Sequence, residues 1–125
     1  RINSTWGGNL VDMFRFKRIL EIINEDNLVQ NCETVGRHLQ DRIHQLTDNH
    51  KSKISNPRGL GLFCAFDCVS TDVRNQVLDK AFDNNLIILG CGERAVRFRT
   101  PLCINENEID EGMNILDKVI GSIKV

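Results

Sequence analysis

The stretch RAVRFRT, residues 94–100, decides how this chain folds. Its residues alternate, with Val96 and Phe98 on one side and Arg97 and Arg99 on the other. Such alternation marks a strand with one face buried and the other open. Pro101 ends it, because proline cannot donate to a strand ladder. Just upstream, GCGE (90–93) supplies turn residues. NNLIILGCG (84–92) therefore reads as a short buried strand that hairpins into 94–100. Further upstream, GLFCAFDC (61–68) is apolar and partly alternating, which predicts a strand over Leu62–Phe66.

Helices surround these strands. Met13, Phe16, Ile19, Leu20 and Ile23 recur at three and four, predicting a helix over 11–24 with Asn9 or Asp12 at its cap. A longer helix follows over 28–48, with Leu28, Cys32, Val35, Leu39, Ile43 and Leu46 as its stripe. NHKSKISNPRG (49–59) is polar, contains Pro57 and Gly59, and reads as a loop. STD (70–72) caps a third helix to Asn84, with Val73, Val77 and Ala81 inward. Asn105 caps a fourth, whose core side is Ile109, Met113, Leu116 and Ile120. The order helix, helix, strand, helix, strand, strand, helix predicts an α+β domain. Its small, mostly antiparallel sheet is packed with helices on one face.

The bulk composition is that of a soluble globular domain. The 125 residues are 41% hydrophobic and 26% charged, with a net charge of −1. That balance gives no basic footprint for nucleic acid, and no apolar run approaches a membrane span. Five cysteines at irregular spacing, most of them in apolar runs, read as small buried hydrophobes in a reducing compartment rather than a disulfide framework. His38, His44 and His50 are six residues apart and do not share a helical face, so no metal site is expected. The acids Glu106, Glu108, Asp110 and Glu111 suit the dipole at a helix start.

Two stretches carry chemistry. Asn3, Ser4 and Thr5, followed by Trp6, Gly7 and Gly8, place hydroxyl donors beside a backbone that lets a bulky group approach. This is half of a phosphate pocket, or an ordinary turn. Arg97 and Arg99 on one face of a strand form a rigid platform for a carboxylate, which a guanidinium binds through two parallel bonds. The alternative is an edge strand with solvated charges. NPRGLG (56–61) lacks the later glycine of a dinucleotide fingerprint and reads as structural. Arg58 within it is either a surface charge or a brace for the loop.

RINSTWGGNLVDM (1–13), RGLGLFCAF (58–66) and AVRFRTPL (95–102), in this order and at these separations, closely resemble the C-terminal part of class-III pyridoxal-phosphate aminotransferases. The resemblance runs over essentially the whole chain and departs from the family pattern at Leu60 and Thr100. It implies the small C-terminal domain of a fold type I enzyme. Residues 1–25 would then form the cofactor-phosphate segment and interdomain helix, and 26–125 the small domain proper. The implied cofactor is pyridoxal 5′-phosphate, bound mainly by the partner subunit of a homodimer. Thr5, with Ser4 and Asn3 beside it, would donate to its phosphate.

By the same resemblance, Arg97 would bind the substrate carboxylate, and Arg99 would be structural. The lysine-directed branch of the family is nearest. Its reaction would move the terminal amino group of L-lysine to 2-oxoglutarate, with 4-aminobutyrate or another omega-amine as the alternative donor. No lysine here sits in a motif like the cofactor-anchoring one, so this stretch alone is expected to be inactive. A cytoplasmic location is expected, or the mitochondrial matrix in a eukaryote. The apolar stripe of the first helix is expected to stay exposed when the chain is taken by itself.

Overall fold

A computed structural model describes residue 5 and residues 7–124. Four helices and four strands follow one another as α1 (Leu10–Glu25), α2 (Leu28–Asn49), β1 (Ile54–Leu60), β2 (Phe63–Cys68), α3 (Thr71–Asp83), β3 (Leu89–Cys91), β4 (Ala95–Arg99) and α4 (Glu106–Ser122). The strands form one sheet in the order β1-β2-β4-β3, and every neighbouring pair is antiparallel. The α+β architecture expected from the sequence is the one observed.

Alternation sets the two faces of the sheet. Cys64, Phe66 and Cys68 of β2 and Val96 and Phe98 of β4 are buried. They join Val35, Leu39 and Ile43 of α2, Val73 and Val77 of α3, and Ile109, Met113, Leu116 and Ile120 of α4 in a single apolar cluster. The rings of Phe66 and Phe98 meet at 6.0 Å and 54°, a tilted arrangement favoured by the ring quadrupoles. Ala65 and Arg97, paired across β2 and β4, belong to the opposite face.

Helix ends are fixed as the sequence suggests. Asn9 caps α1 by accepting from Val11 N, and Ser70 caps α3 by accepting from Val73 N. Asn105 and Glu108 form a reciprocal capping box at the start of α4.

Two sequence expectations fail. The stretch read as a loop, 49–59, contains the start of β1. That strand hides its pattern because it is an edge strand with a bulge. Its register shifts between Ser55 and Arg58, Asn56 takes φ 56°, and Pro57 sits where an edge tolerates a missing donor. The strand expected to be buried over 84–92 is only three residues long and has no buried member. Leu86 and Ile88 pack on the core from the preceding segment, and Ile87 is 80% exposed. The local run was apolar enough to suggest burial, but it lies at the opposite sheet edge. There only β4 pairs with it.

Helix α1 buries none of its residues. Its apolar positions, among them Leu10, Met13, Phe14 and Phe16, are exposed, as expected for this stripe. No described helix is both long and apolar enough to cross a membrane.

One close approach locks α2 onto the sheet. A Cβ on Gly36 would come within 2.5 Å of the Gly61 carbonyl carbon, in the β1–β2 turn where Gly61 itself takes φ 54°. Gly-to-Ala in a helix ordinarily stabilises by about 1 kcal/mol. Here the sign reverses, because the obstruction is backbone and cannot swing aside. Gly36→Ala is expected to destabilise by about 1–3 kcal/mol, read as a lowered urea midpoint with an unchanged slope.

Candidate functional site

Arg97 is positioned by the middle of β4. Its neighbours in register are Ala65 on β2 and Leu89 on β3. The strand is paired on both sides, so the backbone beneath the guanidinium is rigid. Small Ala65 and aliphatic Leu89 flank it on the sheet without competing for it. Arg97 is half-buried, and its Nε is sealed from solvent with no hydrogen-bond partner. Thr100 Oγ1, three residues on, is likewise sealed and unpartnered.

Both residues line one cavity of about 350 Å³. The remaining wall is largely apolar, with Leu86, Ile88, Ile104 and Ile109 among its members. Glu108 is the acidic member, and its Oε2 accepts from Asn105 N at 2.9 Å in the helix cap. A buried guanidinium N–H without an acceptor is costly. A carboxylate is the group best matched to it.

Arg99 sits at the open end of β4 and is exposed. Phe63, its register neighbour on β2, is exposed too. Of the phosphate-directed trio, Thr5 lies in an exposed turn ahead of α1. Asn3 and Ser4 lie outside the described residues. Gly8 follows with φ 81° and open space where a side chain would stand. A hydroxyl donor beside open glycine backbone has the chemistry of a phosphate contact.

Other polar groups turn out to be structural. Arg58 braces β1 against β2. Its Nη2 donates to Asp67 Oδ1 at 2.8 Å, and its Nη1 donates to the Asn56 carbonyl at 2.9 Å. Asn56 Nδ2 donates to Asp67 Oδ2 at 2.8 Å. Burial alone would raise the Asp67 carboxyl, but the Asn56 and Arg58 hydrogen bonds outweigh it and hold the group below its ordinary value.

Two of the three histidines clasp α2 to α4. His38 Nε2 lies 2.9 Å from Asp110 Oδ1, and His50 Nε2 lies 2.9 Å from Asp117 Oδ1. Arg42 Nε stands 3.2 Å from the same Asp110 oxygen. Asp110, assigned from sequence to the helix dipole, thus bridges α4 to α2. Single-helix periodicity could not find these pairs, because each partner lies about 70 residues away.

All five cysteines are free. Cys64 and Cys68 are buried, with burial pushing both thiols up to about 11, so they stay protonated and unreactive at neutral pH. Cys91 and Cys103 are exposed, contrary to the reading of apolar runs as buried. Cys91 falls on the edge strand, and Cys103 precedes the α4 cap. No group of three or more His, Cys, Asp or Glu suited to a metal ion occurs among the described residues.

Known proteins share this fold. The aminotransferase class-III family matches residues 2–120. This chain belongs to the class-III aminotransferases. It is 41% identical over 123 residues to the L-lysine-epsilon aminotransferase of Amycolatopsis lactamdurans, which covers 98% of this chain and 27% of that protein. It is 32% identical over 120 residues to a probable mitochondrial 4-aminobutyrate aminotransferase of Caenorhabditis elegans, covering 96% and 25%. The solved lysine aminotransferase of M. tuberculosis superposes with a TM-score of 0.93 at 35% identity, covering 98% of this chain and 28% of that one. The chain therefore spans about a quarter of the length of these class-III relatives, and it matches the small C-terminal subdomain of the fold type I architecture.

The Asp67 cluster sets an acid dependence. Because the folded carboxyl titrates below its unfolded value of about 3.9, its stabilisation is fully present above that value. It is lost as pH falls through the folded value. Asp67→Asn is expected to lower stability at pH 7, and the gap to the parent should close below about pH 4, read by urea unfolding across pH.

Proposed function

We propose that this chain is the carboxylate-binding, cofactor-steadying end of an aminotransferase dependent on pyridoxal 5′-phosphate. In the full-length homodimer it would move the terminal amino group of L-lysine to 2-oxoglutarate. The observation that carries the reading is Arg97, a cation on a doubly paired strand whose Nε is buried without an acceptor. The likeness to lysine aminotransferases at 40% identity and above supports lysine as the donor.

The residues present fit such a cofactor in a limited way. Thr5, in an exposed turn beside Gly7 and Gly8, would donate to its phosphate, with Ser4 and Asn3 as neighbours. The contact would be made across the dimer to a cofactor bound mainly by the other subunit. When bound, the cofactor supplies the conjugated ring that acts as an electron sink at the carbon bearing the amine.

Arg97 does the orienting. A guanidinium gripping the substrate carboxylate fixes one end and directs the far amine away from β4, which favours reaction at the terminal nitrogen. Both the lysine carboxylate and a carboxylate of 2-oxoglutarate satisfy this grip, so one arginine can serve both halves of an exchange. The rigid strand spares the ordering cost that a loop-borne cation would incur.

Four of the chain's six lysines make structural contacts. Lys53 Nζ donates to the carbonyls of Ile120 and Gly121, Lys80 Nζ to Ser122, and Lys17 and Lys51 pair with Glu21 and Asp48. No lysine lines the Arg97 cavity. We therefore assign the covalent anchor of the cofactor to another part of the full-length protein, and catalysis to the whole rather than to this stretch.

A second reading replaces lysine with 4-aminobutyrate or another omega-amine, favoured by the 32% identity to the C. elegans relative. An amine panel assayed with 2-oxoglutarate on the full-length protein separates the two. Lysine should give the highest kcat/KM, and a preference for 4-aminobutyrate replaces the first reading with the second.

Arg97→Ala in the full-length protein should raise KM for lysine and 2-oxoglutarate and lower kcat/KM by about 10²-fold, a loss of about 3 kcal/mol typical of a charged hydrogen-bond partner. Unchanged constants for both substrates would remove Arg97 from the site. Thr5→Ala should leave those KM values near the parent's but weaken retention of the cofactor, read as faster loss of its absorbance on dialysis.

A further inference from the structure

By resemblance Arg99 would be structural, yet it is exposed at the end of β4 and forms no ion pair among the described residues. That sets it apart from Arg58 on the same sheet face, whose charge is met by Asp67 at 2.8 Å. Asp67 is the one acid that the strands carry on this face, and Arg58 and Asn56 already hold both of its oxygens. The strands therefore present two cations there without a counter-charge, Arg97 and Arg99.

Register fixes what lies beside them. Directly opposed residues of an antiparallel pair share a face. Leu60, Phe63 and Arg99 thus form one row across β1, β2 and β4. Arg58, Ala65, Arg97 and Leu89 form the next row. The two free arginines are alternate residues of one strand, so their backbones stand about 7 Å apart on one side of the sheet. Beside this column of cations runs an apolar column, Ala65 and Phe63, and Phe63 and Leu60 are 61% and 87% exposed. Nε of Arg97 is sealed, so a ligand on this face meets the terminal nitrogens of its guanidinium. The surface matches an anion at two points with hydrocarbon between them.

We propose that Arg99 is a specificity-determining residue that binds the second carboxylate of a dicarboxylate whose first carboxylate Arg97 holds. This rests on the assignment of Arg97 as the carboxylate-binding residue. With C–C bonds of about 1.5 Å, the carboxyl carbons of an extended five-carbon dicarboxylate lie about 5 Å apart. Two guanidinium forks based about 7 Å apart on flexible arms span that length. The methylenes between the carboxylates then rest against Ala65 and Phe63. Lysine has a single carboxylate, and its other charges are ammonium groups, which Arg99 repels. Arg99 thus selects for 2-oxoglutarate as acceptor and takes no part in holding the amino donor.

The test uses the full-length protein loaded with its cofactor. Calorimetry compares two ligands that cannot accept an amino group: glutarate, a five-carbon dicarboxylate, and pentanoate, the monocarboxylate of the same length. The parent should bind glutarate more tightly, and equal binding of the two overturns the proposal. Arg99→Gln removes the charge at an exposed position where no packing depends on it. It should weaken glutarate about 10-fold and leave pentanoate within about twofold of the parent. In the same variant KM should rise about 10-fold for 2-oxoglutarate and stay within about twofold for lysine. Equal weakening of glutarate and pentanoate assigns the effect to the general field or fold and overturns the proposal. Parent-like glutarate binding in Arg99→Gln, alongside lost binding in Arg97→Ala, overturns Arg99 and leaves Arg97 in place. Parent-like binding of both ligands in Arg97→Ala overturns the carboxylate-binding reading itself.

Discussion

The register between β2 and β4 is the constraint on which the rest depends. Ala65 faces Arg97, Phe66 faces Val96 and Cys64 faces Phe98. Because side chains alternate, a slip of one residue would bring Arg97 into the core and turn Phe98 outward. Burial of Phe66, Val96 and Phe98 against α2 and α4 resists that slip. The same pairing that closes the core therefore aims the cation. Fold and site are two faces of one ladder, so Arg97 can be changed at little cost to the core, while its position is set by residues that never touch a ligand.

The parts legible in the sequence are those whose signal is local and periodic. The α2 stripe Val35, Leu39, Ile43 and Leu46 is buried as its spacing predicts, and the α4 cap at Asn105 forms as its box pattern predicts. The face carried by Arg97 follows from three letters on either side of it. The parts that escaped are governed by distant contacts. Strand β1 is an edge strand whose bulge, proline and glycine erase alternation, and only pairing with β2 makes it a strand. The run 86–89 turns only Leu86 and Ile88 onto the core and leaves Ile87 and Leu89 exposed at the sheet edge. Cys91 and Cys103 share the composition of buried neighbours yet lie on an edge and a turn, where no element covers them. Thr100 gave no signal by type, since a threonine before a proline is an ordinary strand end. Its distinction is an unmet hydrogen bond, visible only in three dimensions.

Helix α1 differs from the others in kind. Asn9 caps it, and ion pairs such as Lys17–Glu21 and Arg18–Glu21 run along it, so its own turn structure is well supported. It contributes no buried residue to the core. A continuous apolar face of Leu10, Met13, Phe14 and Phe16 on a helix with its own caps is built to be covered. The proposed assembly accounts for that economy, because Thr5 lies at the free end of this same helix. Covering α1 would fix the direction of the chain that carries Thr5. One docking event would then seat the apolar face and place a hydroxyl donor together.

The division of labour across the sheet also bears on how substrate choice can change. The covered face holds the volume-filling residues, where a change of one methylene is felt throughout. Around Arg97 the register neighbours are small or aliphatic, Ala65 and Leu89, and neither pairs with its charge. Under the proposed role of Arg97, reshaping these residues would alter the bulk of chain accommodated beside a carboxylate without removing the cation that grips it. The arginine would then define the class of ligand, an anion at one end, and its neighbours would select within the class.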